Sequence, residues 1–462
     1  GDDKHIFSAF DDQKALSVDA SYGFKMHPTD QTKTIITKGK DTKKLPDISM
    51  PGFLKQYLWF DTSENTAGNI QIKKTNMEIY QCDADGSNGH WVKVDMVRTV
   101  TGIEKYKGQD GYIALGENLT NTVYVGLKEV KTTSTFYKAG TNTKVSLKSN
   151  VTLKDIDSKQ YIGVKANKVD GQYVSSNTKL SYKEDNGTYI YYADYDDDYD
   201  SQDFTCAAFT FQGDSFEYTF GRNLAEPTRR DQFVGSGQNM ARFKTVPPTK
   251  TVTDNNETQV TSNTVEHFGQ DWTYNVEQVI PAGIPEAHRY SKFAFEDQIE
   301  SCMKINSVKV VASKMESTKD ATSWFDIKTD GNKVTATLKD PKGNDSFYKY
   351  GIYTLKINVS LNIPENATEE QMTALREQWK QHGHYNETDN IVTETNKAKT
   401  NVDGDVKDTN QVTTKVEGPE KTVSDSDETN VKKNTVRSLA DDWTYSITQK
   451  IAKNADEKYA SF

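Results

Sequence analysis

Cysteine is scarce in this chain of 462 residues: there are three, Cys82, Cys206 and Cys302. None stands in a Cys-x-x-Cys spacing, which argues against a zinc ribbon or finger. Cys82 and Cys206 share the N-terminal region and are candidates for a disulfide. Two reduced, partly buried thiols are the equal alternative, because spacing alone does not show proximity. No run approaches the ~20 apolar residues of a membrane-spanning helix. There is no His-Glu-x-x-His, no Gly-x-Ser-x-Gly and no phosphate-cradling loop, and the seven histidines form no evident catalytic set. Positive charge is outweighed, and a net charge of −10 disfavours nucleic acid or an anionic membrane as partner. No signal peptide is present, so the start at Gly1 reads as a mature or trimmed chain.

Apolar residues make up 34% of the chain, but there are 24 Tyr and 19 Phe. Short Val/Ile/Tyr/Phe runs are separated by Thr, Asn, Asp and Lys, a texture that suits all-β extracellular modules. The length fits roughly three domains.

A 25-residue stretch occurs twice, starting at Lys250 and again at Lys421, with fourteen identities and no gap. Both copies end in Asp-Trp-Thr-Tyr, and a proline precedes each lysine by two residues, Pro248 and Pro419. One domain type therefore begins twice. The expected organisation is a large N-terminal region over 1–246, a complete repeat domain over 247–417, and the opening of a second over 418–462. The second copy is too short to close, so the chain is expected to be one end of a longer tandem array.

In 1–246, strand-like runs recur at 56–61, 78–81, 91–97, 122–130, 143–147, 161–164, 188–193, 207–212 and 216–220. The run 83–89 reads as a hairpin turn. Residues 247–417 alternate in the same way over 272–280, 291–297, 306–312, 333–338 and 353–361. The fold class is therefore all-β: tandem antiparallel β-sandwiches of immunoglobulin-like type, the N-terminal one larger. One segment departs from period two. Asn366 and Glu369 suggest a capping box, and Met372, Leu375 and Trp379 then share a helical face. The spacing predicts one short inserted helix over 367–381, its apolar face packed on the sheet.

Two clusters have metal-ligand chemistry. Asp194, Asp196, Asp198 and Asp200 form an acidic, tyrosine-rich run in which calcium is the only candidate cofactor, although the full twelve-residue calcium loop is missing. A solvated acidic loop is the plainer reading. His382 and His384 with Glu387 form a weaker group.

The repeat opening, Pro-x-Lys-Thr-Val followed by Asp-Trp-Thr-Tyr, resembles the isopeptide-forming domains of Gram-positive pilins and surface adhesins. In that family a Lys on the first strand joins an Asn on a late strand, assisted by an acidic residue between them. The resemblance implies Lys250 as the amine. It implies Asp297, within Phe295-Glu-Asp-Gln-Ile, as the acid, with Glu296 as alternative. It implies Asn396, within Thr395-Asn-Lys-Ala, as the amide, with Asn401 and Asn410 as alternatives. It covers about 170 residues and the second opening, not the first 246.

The chemistry needs those residue types. An amine attacks an amide only when neutral, and free Lys is protonated at neutral pH. Burial lowers a Lys pKa and raises a carboxyl pKa, so an enclosed Lys and Asp can exist as amine and acid. Fixed contact supplies the effective concentration for a reaction that runs once.

Two function classes follow. The first is a cell-surface adhesin or pilus tip protein, with a ligand-binding N-terminal domain on a cross-linked stalk and no enzymatic turnover. Its partners would be a glycan or protein on a host or neighbouring cell, or other pilin subunits. It would be extracellular and held to the cell wall through a further C-terminal part. Candidate ligand contacts are Tyr192, Tyr195, Asp196, Asp198 and Tyr199, since aromatic faces with acidic rims suit glycans or cationic surfaces. The second is a secreted carbohydrate-active enzyme with the repeats as spacers, which would need paired carboxylates in a cleft.

Overall fold

A computed structural model describes residues 19–451, except 42–44, 117–120, 176, 200–201, 228–231, 237–244, 282–283, 285, 287–288 and 316. The chain divides into two compact units. One comprises Gly1–Val246 with Ile280–Arg289, the other Pro247–Val279 with Tyr290–Phe462. The boundary falls at Pro247 and Pro248, which cannot donate to a sheet.

The first unit holds an eight-stranded and a seven-stranded sheet. The long strands Gln71–Gln81 and His90–Lys105 form a hairpin across the turn at 83–89, as the sequence predicts. Aromatic pairs join the two sheets: Tyr124 with Phe220 at 5.1 Å between centroids, and Tyr191 with Phe209 at 5.9 Å. Between them lies Arg98, fully buried, whose guanidinium donates to the Asn121 carbonyl, Thr122 Oγ1 and the Tyr218 hydroxyl.

No disulfide joins Cys82 to Cys206; both are free thiols, which corrects the expected candidate pair. Cys82 follows a strand of the eight-stranded sheet, and Cys206 precedes Ala207–Gly213 in the other. The Cys206 thiol instead donates to the Gln202 carbonyl at 3.1 Å. Burial raises both thiols, Cys82 to about 11 and Cys206 to about 12, so both stay protonated.

The second unit has two five-stranded sheets, one four-stranded sheet and a terminal hairpin. The first sheet runs in the order Thr249–Thr253, Trp272–Val279, Ile352–Leu361, Met303–Lys314, Ser317–Asp320. The second five-stranded sheet centres on Phe293–Gln298, flanked by Lys333–Leu338 and Ala398–Val402. The four-stranded sheet contains Val412–Glu417 between Ser262–Val265 and Ile391–Asn396. Its pairing of Ser262–Val265 with Val412–Glu417 is parallel, a departure from the all-antiparallel expectation.

Among the described residues the one α-helix is Glu369–Gln381. Its capping box is built by Thr368 and Gln371, not by Asn366 and Glu369. Thr368 Oγ1 accepts from the Gln371 N–H, while Gln371 Oε1 accepts from the Thr368 N–H. Of the expected face, Trp379 is fully buried, and Met372 and Leu375 are half-buried.

Candidate functional site

Strand parity decides which side chains enter the core of the second unit. In Thr249–Thr253 the inward positions are Lys250 and Val252. In Phe293–Gln298 they are Phe293, Phe295 and Asp297. In Ile391–Asn396 they are Val392, Glu394 and Asn396. Three strands from three different sheets thus deliver a lysine, an aspartate and an asparagine to one interior point.

There Lys250 Nζ donates to both Asp297 Oδ2 and Asn396 Oδ1, with the lysine and aspartate side chains fully enclosed. The Tyr274 ring lies under the amine, 4.3 Å from Nζ to centroid. Asn396 Nδ2 donates to the Gln298 carbonyl at 3.2 Å, which fixes which end of the amide faces the lysine. Desolvation lowers the Lys250 pKa, opposed by Asp297, and desolvation raises the Asp297 pKa, opposed by Lys250. Both directions favour a neutral amine beside a protonated acid over a buried ion pair. Such a pair can add the amine to the Asn396 amide carbon, with the acid hydrogen-bonding the oxygen and carrying the proton to the departing nitrogen.

The alternative residues take other places. Glu296 points to the opposite side of its strand and pairs with Lys333 at 2.8 Å and Lys399 at 2.9 Å. Asn401 accepts from the Gly404 N–H at 2.8 Å in a turn. Asn410 grips the Lys250 backbone instead, accepting from its N–H and donating to its carbonyl, both at 2.9 Å. Asn410 thus belongs to the site, but as a clamp on the backbone and not as the alternative amide; Tyr274 and the Gln298 carbonyl were not expected as parts of it. Tyr274 had a signal, since it closes the repeated stretch in both copies.

The second copy reproduces this local geometry. Lys421 Nζ stands 4.3 Å from the Tyr445 ring centroid, as Lys250 does from Tyr274. Asn434 Nδ2 donates to Asp425 Oδ2 at 2.7 Å, as Asn263 does to Asp254 at 2.8 Å. Among the described residues, Lys421 meets neither an acid nor an amide, and Trp443, Tyr445 and Ile447 are exposed.

In the first unit the run around 195 is packed against a neighbouring turn. The Ser158 and Lys159 N–H groups donate to the Asp197 and Tyr195 carbonyls, and the Tyr199 N–H donates to Asp157 Oδ2 at 2.7 Å. Tyr195 and Tyr199 meet edge to face at 5.8 Å, and Lys179 lies over the Tyr199 ring. Lys183 lies over Tyr192. Asp194, Asp196 and Asp198 are exposed and, among the described residues, do not gather around one ion position. Asp194 turns to Lys159 at 3.4 Å, and Asp200 lies outside the described residues.

Burial raises the Asp157 pKa to about 6, the Tyr199 N–H opposing. A raised carboxyl binds its proton more tightly folded than unfolded, so its stabilisation is present at low pH and lost as pH rises toward and through about 6. Asp157→Asn keeps an oxygen for Tyr199. The variant should therefore melt higher relative to wild type at pH 7.5 than at pH 4.5, read by parallel thermal scans. An equal difference at both values would remove Asp157 as the titrating group.

His382 and Glu387 do not combine with His384 as expected: Glu387 pairs with Lys380 at 2.8 Å, and the two imidazoles lie 6.4 Å apart. Among the described residues no helix is long and apolar enough to cross a membrane.

The sequence matches no family profile and no curated protein. Among solved structures, the chain aligns with the N-terminal domain of the Streptococcus gordonii adhesin Sgo0707. That alignment has 12% identity, covers 89% of this chain and 97% of that one, and has a TM-score of 0.31. It also aligns with BcpA, the major pilin subunit of Bacillus cereus, at 14% identity, 60% and 70% coverage and a TM-score of 0.25. Domains D2 and D3 of the Corynebacterium diphtheriae major pilin SpaD align at 19% identity, 41% and 58% coverage and a TM-score of 0.25. At these TM-scores the likenesses carry no inference about this chain.

Proposed function

We propose that this chain is part of a Gram-positive cell-surface adhesin or pilus protein whose stalk domain is cross-linked between Lys250 and Asn396. Residues 1–246 would carry ligand binding, toward a glycan or protein of another cell or toward sister subunits. Residues 247–417 would form the cross-linked domain, and 418–462 the opening of a second. The protein would work outside the cell, wall-anchored through a further C-terminal part, with no catalytic turnover.

The observation that carries this reading is the enclosed contact of Lys250 Nζ with both Asp297 and the Asn396 amide. An amine, an acid and a primary amide are each costly to bury alone, so their enclosure in mutual contact supports a chemical use for the contact. The reaction balances: the Nζ to Cγ bond forms, the Cγ to Nδ2 bond breaks, Asp297 gives its proton to the departing nitrogen and takes up the one that Nζ loses, and ammonia leaves. Intact mass of the purified chain should fall short of the sequence mass by one ammonia per molecule. Lys250→Ala should show its own full sequence mass. A full mass for the wild type would overturn the cross-link.

A further inference from the structure

The inward face of Ile391–Asn396 carries a second polar side chain, two residues before Asn396. Glu394 is fully buried. The Cys302 thiol donates to its Oε1 at 2.8 Å, which orients the carboxylate. The other oxygen, Oε2, has no hydrogen-bond partner. His384 Nδ1 stands 3.6 Å from it, too far for a hydrogen bond. On the far side of the same ring, Nε2 stands 3.9 Å from Glu300 Oε2. One ligand atom from each of Glu300, His384 and Glu394 lies within 4.8 Å of the others.

We propose that Glu300, His384 and Glu394 form a binding site for a zinc-class divalent cation. Two ligands held about 2.0–2.1 Å from a tetrahedral zinc stand roughly 3.3 Å apart. An ion would take one ring nitrogen of His384, and one atom from each of the three residues already lies within 4.8 Å of the others, so side-chain rotation of the two partly open residues would close the set. A cation would satisfy the orphaned Glu394 oxygen, which is otherwise costly to keep buried. An imidazole with two carboxylates suits zinc better than calcium, which takes six to eight oxygens. The Cys302 thiol acts on Glu394 as outer-shell partners commonly do on metal ligands.

The backbone around each ligand is fixed. The His384 N–H donates to the Trp379 carbonyl at 2.9 Å, and its carbonyl accepts from Thr393 at 2.8 Å. The Glu300 carbonyl accepts from Asn332 Nδ2 at 3.0 Å. The His384 and Glu300 side chains are partly open to solvent, which gives an ion a way in. The bound metal would fasten the end of the helix Glu369–Gln381 to the strand that carries Asn396. None of its three ligands belongs to the Lys250, Asp297 and Asn396 set, so the proposal does not depend on the cross-link.

The test uses the full chain stripped with chelator, then titrated with zinc sulfate by calorimetry and thermal scans, with calcium chloride as comparison. Zinc at a hundredfold excess over its dissociation constant should raise the melting temperature of the second unit by about 5–10 °C, reversed by chelator. His384→Ala and Glu394→Gln should each abolish the shift. His384 is partly exposed, so its variant should keep the metal-free melting curve even if the Glu394 variant does not fold. No zinc shift in the wild type, a shift from calcium alone, or a shift retained in His384→Ala would overturn the site.

Discussion

Asp297→Ala should leave Lys250 and Asn396 unjoined and lower the melting temperature of the second unit by roughly 15 °C or more. Two losses add. Closing the loop from residue 250 to residue 396 restricts the unfolded chain, on the order of 4–5 kcal/mol by analogy with disulfides. Removing the acid also strands the Lys250 amine in the core, which by comparison with broken buried ion pairs costs about 3–5 kcal/mol. For a domain of this size each kcal/mol is worth roughly 2–4 °C. Lys250→Met separates the two terms. It keeps an apolar stem over Tyr274, strands no charge and loses only the closure. It should therefore melt between wild type and Asp297→Ala. Identical melting of the two variants would show that the buried amine costs nothing; melting of Asp297→Ala at the wild-type temperature would remove the cross-link itself.

Trp379→Ala should have the next largest effect, about 3–5 kcal/mol. Trp379 is 1% exposed and is the one fully buried side chain of its helix. Its ring meets Phe268 at 5.4 Å and Tyr385 at 6.0 Å, both near edge to face. With the ring gone, Met372 and Leu375 keep only partial contact, and a 13-residue helix is marginal without packing. Limited proteolysis should then cut within 369–381 while the sheets stay protected. A helix as resistant as wild type, with unchanged melting, would move its anchoring to those two residues.

Much of the second unit was legible because period-two alternation is a local signal. Parity alone would have chosen Asp297 over Glu296, since Phe293, Phe295 and Asp297 fall on one face. The choice among three asparagines was not local. Asn410 sits as near the lysine as Asn396 does, but it holds the backbone, and only the pairing of strands reveals that. The cysteines failed for a related reason: Cys82 and Cys206 flank strands of different sheets, and sequence spacing carries no sheet membership. The grouping of Glu300, His384 and Glu394 draws on a turn, a helix end and a strand, so no short motif could announce it. The helix was visible, but its cap was displaced by two residues, because Thr and Gln compete with Asn and Glu for the same role.

The Asn410 grip and the parallel pairing of Ser262–Val265 with Val412–Glu417 set how far the domain can stretch. With the proposed bond in place, tension entering at residue 250 leaves through residue 396, and everything between is slack. Only 397–417 remains extensible, roughly 70 Å of contour at about 3.5 Å per residue, against nearly 600 Å for the unlinked domain. The Asn410 hydrogen bonds and the parallel ladder stand across that short remnant. The domain would thus act as a tether that yields in one small, recoverable step before it becomes inextensible.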